Sequence, residues 1–242
     1  MRTLIISDLH ANIDALLAVE SEVQRIGGCD RTLVLGDLVD YGPAPAEVIE
    51  WVRRNATDVI RGNHDHAMAT GAACQSSSAF LPLSIVTREY FRPKLEPDAI
   101  RYLQSLPAVR SIEIEGTRIE LVHATLRDPL YEYVAPQSSE EHWLFALGPV
   151  SEDTSFVFLG HTHLPFTRRV GEITVVNPGS LGQPKDGDPR ACYAILEGGE
   201  IRLCRISYDV EWAVSRLQQL SLPELYIRQL SHVLRTGRPM EV

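Results

Sequence analysis

Five apolar, β-rich runs in this chain each lead into a short polar cluster. The runs are TLII, RTLVL, TDVI, RIELV and SFVFL. The clusters that follow them are SDLH (Ser7–His10), GDLVD (Gly36–Asp40), GNHD (Gly62–Asp65), VHAT (Val122–Thr125) and GHTH (Gly160–His163). A sixth, NPGS (Asn177–Ser180), comes later. A near-continuous apolar run is the pattern of a strand buried on both faces, and ligand sites in α/β sheets collect at the carboxyl ends of such strands. The chain is therefore constrained to an α/β fold that gathers several strand ends, each bringing a carboxylate, an imidazole or a carboxamide.

Around these clusters the chain alternates strand and helix up to Gly62, a β-α-β-α-β series that implies parallel strands with right-handed crossovers. Asn12 is placed to cap the first helix, which Gly27-Gly28 ends, and Pro43 and Pro45 open the second. Residues 66–107 then read as helical excursions, with a helix around Leu83–Tyr90, and residues 126–150 as a second excursion. Both are expected above the site, with Tyr131, Tyr133, His142 and Trp143 near its mouth. Between and after them the pattern is β-rich, with strands joined around Gly116 and Gly198-Gly199. Two helices close the chain; Ser221-Leu-Pro-Glu224 resembles a capping box, and Gly237 with Pro239 is a stop signal. No repeat or flexible linker divides the 242 residues, so one domain over 1–242 is expected.

The net charge of −9 argues against holding long nucleic acid, which needs clustered Lys and Arg. A small phosphorylated substrate stays open, because bound dications reverse the local field. No apolar run approaches the roughly 20 residues that span a bilayer, and MRTLIISDLH turns polar too early for a signal peptide. Cys29, Cys74, Cys192 and Cys204 show no CxxC spacing, so reduced thiols in a cytoplasmic protein are the simplest account.

Taken singly, each cluster has a plain reading: Asp8 as a helix cap beside a surface His10, Asp37 and Asn63 as turn residues, His123 as a structural core imidazole. His161 and His163 are more specific, since two histidines share one side of an extended segment beside a small Gly160. Together, Asp8, Asp37 and Asn63 offer three oxygen ligands, and His10, His123, His161 and His163 offer four imidazoles. The set lacks thiolates, which suits Mn²⁺, Fe, Zn²⁺ or Ni²⁺ better than a structural zinc cage. Seven side chains exceed one ordinary site and match two ions sharing a bridge.

In this order the clusters resemble the calcineurin-like metallophosphoesterases, whose pattern is D-x-H, G-D, G-N-H-[DE], H and G-H-x-H; NPGS matches a further segment of that family. The resemblance implies a four-layer α-β-β-α sandwich of two mixed sheets flanked by helices. It implies one metal on Asp8, His10 and His163, a second on Asn63, His123 and His161, and Asp37 bridging both. The ions would be two divalent transition metals, Mn²⁺ preferred, with Fe, Zn²⁺ or Ni²⁺ as alternatives. His64 would be the non-ligand imidazole that binds phosphate and protonates the leaving oxygen, with Asp40 orienting it and keeping it protonated.

The activity implied is that of a dinuclear metal-dependent phosphoesterase acting through a metal-bridged hydroxide, most similar to the small bacterial phosphodiesterase branch. Its expected substrate is a small or nucleotide-like ester. The alternatives are a phosphomonoesterase, acting on nucleotides or phosphoproteins, and a non-catalytic protein-binding scaffold of the same fold. The phosphoprotein phosphatases and diadenosine tetraphosphate hydrolases carry an Arg after the second motif, where this chain has Tyr41. Arg127, Arg168 and Arg190 are candidates to replace that cation, and GQPKDGDPR (Gly182–Arg190) reads as a solvated loop. The excursions are either a lid or an interface, the latter implying a homo-oligomer.

Overall fold

The computed structural model describes residues 1–240. The first half builds β1 (Arg2–Ile6), α1 (Ile13–Arg25), β2 (Arg31–Val34), α2 (Pro45–Asn55), β3 (Asp58–Val59), α3 (Asn63–Thr70), α4 (Leu81–Phe91) and α5 (Pro97–Ser105). Then come β4 (Val109–Ile114), β5 (Thr117–Val122), α6 (Glu140–Leu147), β6 (Thr154–Phe158), β7 (Phe166–Val170) and β8 (Ile173–Asn177). The chain finishes with β9 (Ala191–Glu197), β10 (Glu200–Ile206), α7 (Val210–Gln218) and α8 (Glu224–Thr236).

The strands form two five-stranded mixed sheets, ordered β10-β9-β1-β2-β3 and β4-β5-β6-β8-β7. β1, β2 and β3 run parallel, as do β5, β6 and β8, so six strand carboxyl ends point the same way within their sheets. Side-chain alternation then makes the layers. Ile5, Leu33, Leu121, Phe158, Val176 and Ala194 pack between the sheets. From the opposite face of β1, Leu4 and Ile6 meet Leu16 and Val19 of α1 and Val48 and Val52 of α2. Val157 and Val175 face Trp143 and Leu147 of α6. The result is the α-β-β-α sandwich.

Local signals act largely where they stand. Asn12 accepts the Ala15 N–H at 3.1 Å and caps α1, and Gly237 ends α8 in the left-handed region at φ 63°. Two expectations change. Ser221 caps nothing, because α8 starts at Glu224 with Pro223 as its N-cap residue, placing the serine two residues too early. Trp143 does not sit at a pocket mouth; it is 1% exposed beneath the second sheet, while His142 is exposed. α6 turns Trp143, Ala146 and Leu147 onto the sheet and leaves Leu144 and Phe145 exposed.

Candidate metal centre

The polar clusters extend the strand ladders into loops and cross-link there. Asp8 N–H bonds Gly36 O at 3.1 Å and His10 N–H bonds Asp37 O at 2.9 Å, joining the segments after β1 and β2. Gly160 N–H bonds His123 O at 2.9 Å, joining those after β5 and β6. The segment after β8 crosses between the sheets: Ser180 Oγ and Gly182 N–H both donate to Asp8 O, at 2.7 and 3.0 Å. Close approach explains the small residue in GHTH, since a Cβ on Gly160 would collide with the Ser7 side chain and the Asp8 carboxylate.

Strain concentrates at the same place. Asp8, His10, Ala11, Asp37, Asp40, Tyr41, His161 and His163 all have positive φ, between 44° and 67°. Among the described residues only Gln75 and Glu115 share that region without being glycine. Left-handed backbone at a non-glycine residue costs of order 1 kcal/mol or more and persists where surrounding contacts enforce it, commonly at functional sites.

Three of the four ligand-candidate imidazoles have their orientation set from behind. His10 Nδ1 donates to Val39 O at 2.9 Å, His123 Nδ1 to Leu35 O at 2.7 Å, and His163 Nδ1 to Gln183 O. These bonds turn Nε2 of each of the three rings inward. Asn63 Nδ2 donates to Cys74 O at 2.6 Å, which turns its Oδ1 into the site, 3.1 Å from both His123 Nε2 and His161 Nδ1.

Two groups of donors result. In the first, His10 Nε2 and His163 Nε2 lie 3.2 Å apart, and Asp8 Oδ1 is 3.3 Å from the latter. In the second are His123, His161 and Asn63 Oδ1. Asp37 Oδ2 stands between them, 3.8 Å from His10 Nε2 and 3.2 Å from His123 Nε2. All seven residues are buried. The structure thus brings together every residue named as a ligand candidate, with Asp37 in the shared position.

Electrostatics favour a cation at this point. Burial opposes ionisation of Asp37, but the imidazoles of His123, His64 and His10 outweigh it and hold the carboxyl well below the usual range. Burial raises Asp8 to about 6, against His123 and with the charge of Asp37 adding to the rise. Burial also holds His10, His161 and His163 well below the ordinary histidine value, so they are neutral. Two neutral rings whose Nδ1 protons are committed elsewhere cannot hydrogen-bond each other through Nε2. A dication satisfies both lone pairs and relieves the repulsion of two buried carboxylates. The donor set therefore fits divalent ions, in two His/Asp groups.

His64 is outside both groups. Its Nδ1 is 2.7 Å from Asp40 Oδ2, and Arg88, from α4, donates to the same oxygen through Nε at 3.2 Å and Nη2 at 2.5 Å. Burial works against the charged ring, yet Asp37 and Asp40 raise it above the ordinary histidine value. Its Nε2 lies 3.1 Å from Ser76 Oγ and 3.4 Å from the Tyr41 hydroxyl. Arg88, Ser76 and Asp65 were not singled out by sequence reasoning. Asp65 accepts N–H groups of Asp37 (2.8 Å), Leu38 (2.8 Å) and Gly62 (3.0 Å), pinning the segment after β2 to the start of α3. Tyr133 stacks on His161 with ring centroids 3.8 Å apart and remains 48% exposed at the rim.

None of the three arginines proposed to replace the cation missing at position 41 is available. Arg127 pairs with Glu132, Arg190 with Asp188 at 2.6 Å, and Arg168 donates to Pro136 O. Nor is GQPKDGDPR wholly a solvated loop: its first three residues are buried, and Lys185 reaches His163 Nε2 at 3.2 Å. Burial lowers the Lys185 ammonium to about 8, with Asp8 and Asp37 opposing.

A family model described as the calcineurin-like phosphoesterase superfamily domain matches residues 1–200. A metallophosphoesterase structure from Sphaerobacter thermophilus is 31% identical with a TM-score of 0.78, covering 96% of this chain and 99% of that one. The uncharacterized protein MJ0912 of Methanocaldococcus jannaschii is 29% identical over 239 residues, covering 91% of this chain and 93% of its own length. Phosphodiesterase YfcE of Escherichia coli K12 is 28% identical over 207 residues, 81% of this chain and 88% of its own.

Proposed function

The chain belongs to the calcineurin-like phosphoesterase superfamily, a phosphoric ester hydrolase by family, and from that premise we propose that it is a phosphodiesterase of small or nucleotide-like esters. In this reading one ion is held by Asp8, His10 and His163, a second by Asn63, His123 and His161, and Asp37 serves both. The observation that carries it is the convergence of buried imidazole nitrogens on the shared Asp37 carboxylate, with the His10 and His163 rings held neutral by burial and His123 raised, against burial, to about 9 by its contact with Asp37. When bound, the two dications lower the pKa of water and neutralise charge on the phosphoryl oxygens. Mn²⁺ is the metal we propose, on the mixed oxygen and imidazole donors.

His64 does the proton chemistry. Its Nδ1 is held by Asp40, which Arg88 fixes in turn, so the ring keeps its orientation and its proton. Nε2 faces the centre, 4.0 Å from Asp37 Oδ2, where it can bind a phosphoryl oxygen and pass a proton to the leaving oxygen. Ser76 Oγ and the Tyr41 hydroxyl hold that nitrogen until substrate takes their place. The half-exposed Tyr133 ring supports an ester with a flat leaving group, and the similarity to a phosphodiesterase over most of the chain supports a diester.

Both sheets contribute to the centre, Asp8 and Asp37 from one and His123 and His161 from the other, which supports treating residues 1–242 as one functional domain. We place the protein in the cytoplasm, where its four unbridged cysteines would stay reduced. Among the described residues, no helix is long and apolar enough to cross a membrane.

The test is hydrolysis of bis-p-nitrophenyl phosphate and p-nitrophenyl phosphate by metal-stripped protein with and without Mn²⁺. Mn²⁺-dependent turnover favouring the diester is expected. Preference for the monoester would make the protein a phosphomonoesterase.

A further inference from the structure

The segment after NPGS carries four charged side chains within six residues, Lys185, Asp186, Asp188 and Arg190, and Arg205 reaches in from β10 as a fifth. Four of these five neutralise one another. Asp186 pairs with Arg205, and Asp188 pairs with Arg190 at 2.6 Å and Arg205 at 3.6 Å. Lys185 is left over: among the described residues it makes no ion pair. Instead Nζ lies 3.2 Å from His163 Nε2 and 4.4 Å from the centroid of the Phe80 ring.

This placement is enforced by the backbone. Gln183 N–H donates to Ser180 Oγ at 2.8 Å, Gly182 O accepts from Asn12 Nδ2 at 3.0 Å, and Gln183 O accepts from His163 Nδ1. Pro184 stiffens the next step. The carbonyl that orients His163 is therefore two residues from the lysine that meets the other nitrogen of the same ring.

Resting on the phosphodiesterase reading above, we propose that Lys185 is the phosphate-binding cation of this site, engaging a non-bridging phosphoryl oxygen on the Asp8–His10–His163 side. An ammonium beside a lone pair that faces a dication is repelled once that dication is present, and it needs an anion nearby to remain. The substrate phosphate is such an anion. The need is real in this chain, because position 41 holds a buried Tyr and Arg127, Arg168 and Arg190 are engaged elsewhere. A lysine meets phosphate as a compact point charge, where a guanidinium would grip two oxygens at once.

The experiment is calorimetric binding of inorganic phosphate to the Mn²⁺-loaded protein, comparing wild type, Lys185→Met and Lys185→Arg, with manganese content measured on each. Lys185→Met is expected to weaken phosphate binding about 10- to 100-fold, the worth of one hydrogen bond to a charged group, while two manganese ions per chain are retained. Lys185→Arg should stay within about threefold of wild type, because it keeps the charge. If Lys185→Met does not fold, Lys185→Gln carries the same comparison. Three results would overturn the assignment: no phosphate binding by wild type, phosphate affinity unchanged in the variant, or manganese lost along with phosphate. Turnover keeps the two readings separate. Lys185-dependent phosphate binding without cleavage of either nitrophenyl ester would remove the diesterase and leave Lys185 in place. Diester cleavage with unchanged phosphate affinity in Lys185→Met would remove Lys185 alone.

Discussion

His64 and Asp37 lie within one small cluster yet answer to different experiments. His64 is held by Asp40, which Arg88 fixes in turn, and belongs to neither ligand group; in the proposed mechanism it supplies the proton. Replacing it with Asn should lower kcat by about 10²- to 10⁴-fold, the usual worth of general acid–base catalysis, while manganese content stays at two per chain. Equal loss of turnover and metal would show that the imidazole is a ligand. Asp37 has the opposite profile, since one of its oxygens faces both groups and the other accepts the His64 N–H at 2.9 Å. Asp37→Ala should reduce occupancy at both positions, read by metal analysis after gel filtration. A variant that still holds two ions would rule out the bridge.

At the scale of elements, the centre depends on how loops are tied to helices. α3 starts at Asn63, so Asn63, His64 and Asp65 share its first turn and point to three different tasks. Asn63 turns its oxygen inward, His64 meets Asp40, and Asp65 caps the N–H groups of Asp37, Leu38 and Gly62. Removing that carboxylate in Asp65→Ala leaves three buried donors unpaired. At about 1–3 kcal/mol for each such group, the fold should lose about 3 kcal/mol or more. Thermal unfolding should then shift down by roughly 6–12 °C for a chain of this size. A melting temperature within 2 °C of wild type, at about that sensitivity, would mean water replaces the carboxylate without penalty. The same logic explains Trp143: a helix laid on a sheet buries its largest apolar ring, whichever cluster it neighbours in sequence.

For the whole molecule, the metals should act as a clasp between the two sheets, because each sheet supplies carboxylate or imidazole to the centre. Ions that bind only the folded chain stabilise it by about 2.7 kcal/mol each at 100 times Kd. Stripping both should therefore lower the melting temperature by roughly 10–20 °C, and Mn²⁺ should restore it. Relief of the repulsion between Asp8 and Asp37, two buried carboxylates facing the same point, acts in the same direction. An EDTA-treated protein that melts where the loaded one does would contradict a metal centre built across the sheets.

Much of this protein is written locally. The apolar runs specify the strands, the period of two sends Ile5 to one face of β1 and Leu4 and Ile6 to the other, and Asn12 and Gly237 end their helices from within a few residues. The ligand candidates are legible for the same reason: Asp8, His10, Asp37, Asn63, His123, His161 and His163 stand at strand ends, where a parallel sheet collects side chains. What only the tertiary structure decided is which polar groups remain without a partner. Nothing near Lys185 in sequence says that Arg205 will take Asp186, or that Arg88 will fix Asp40 from a helix 48 residues away. Strand period and ligand type are properties of neighbouring residues, but charge pairing is a competition through space among side chains far apart in the chain, and it is settled only when the fold has brought them together.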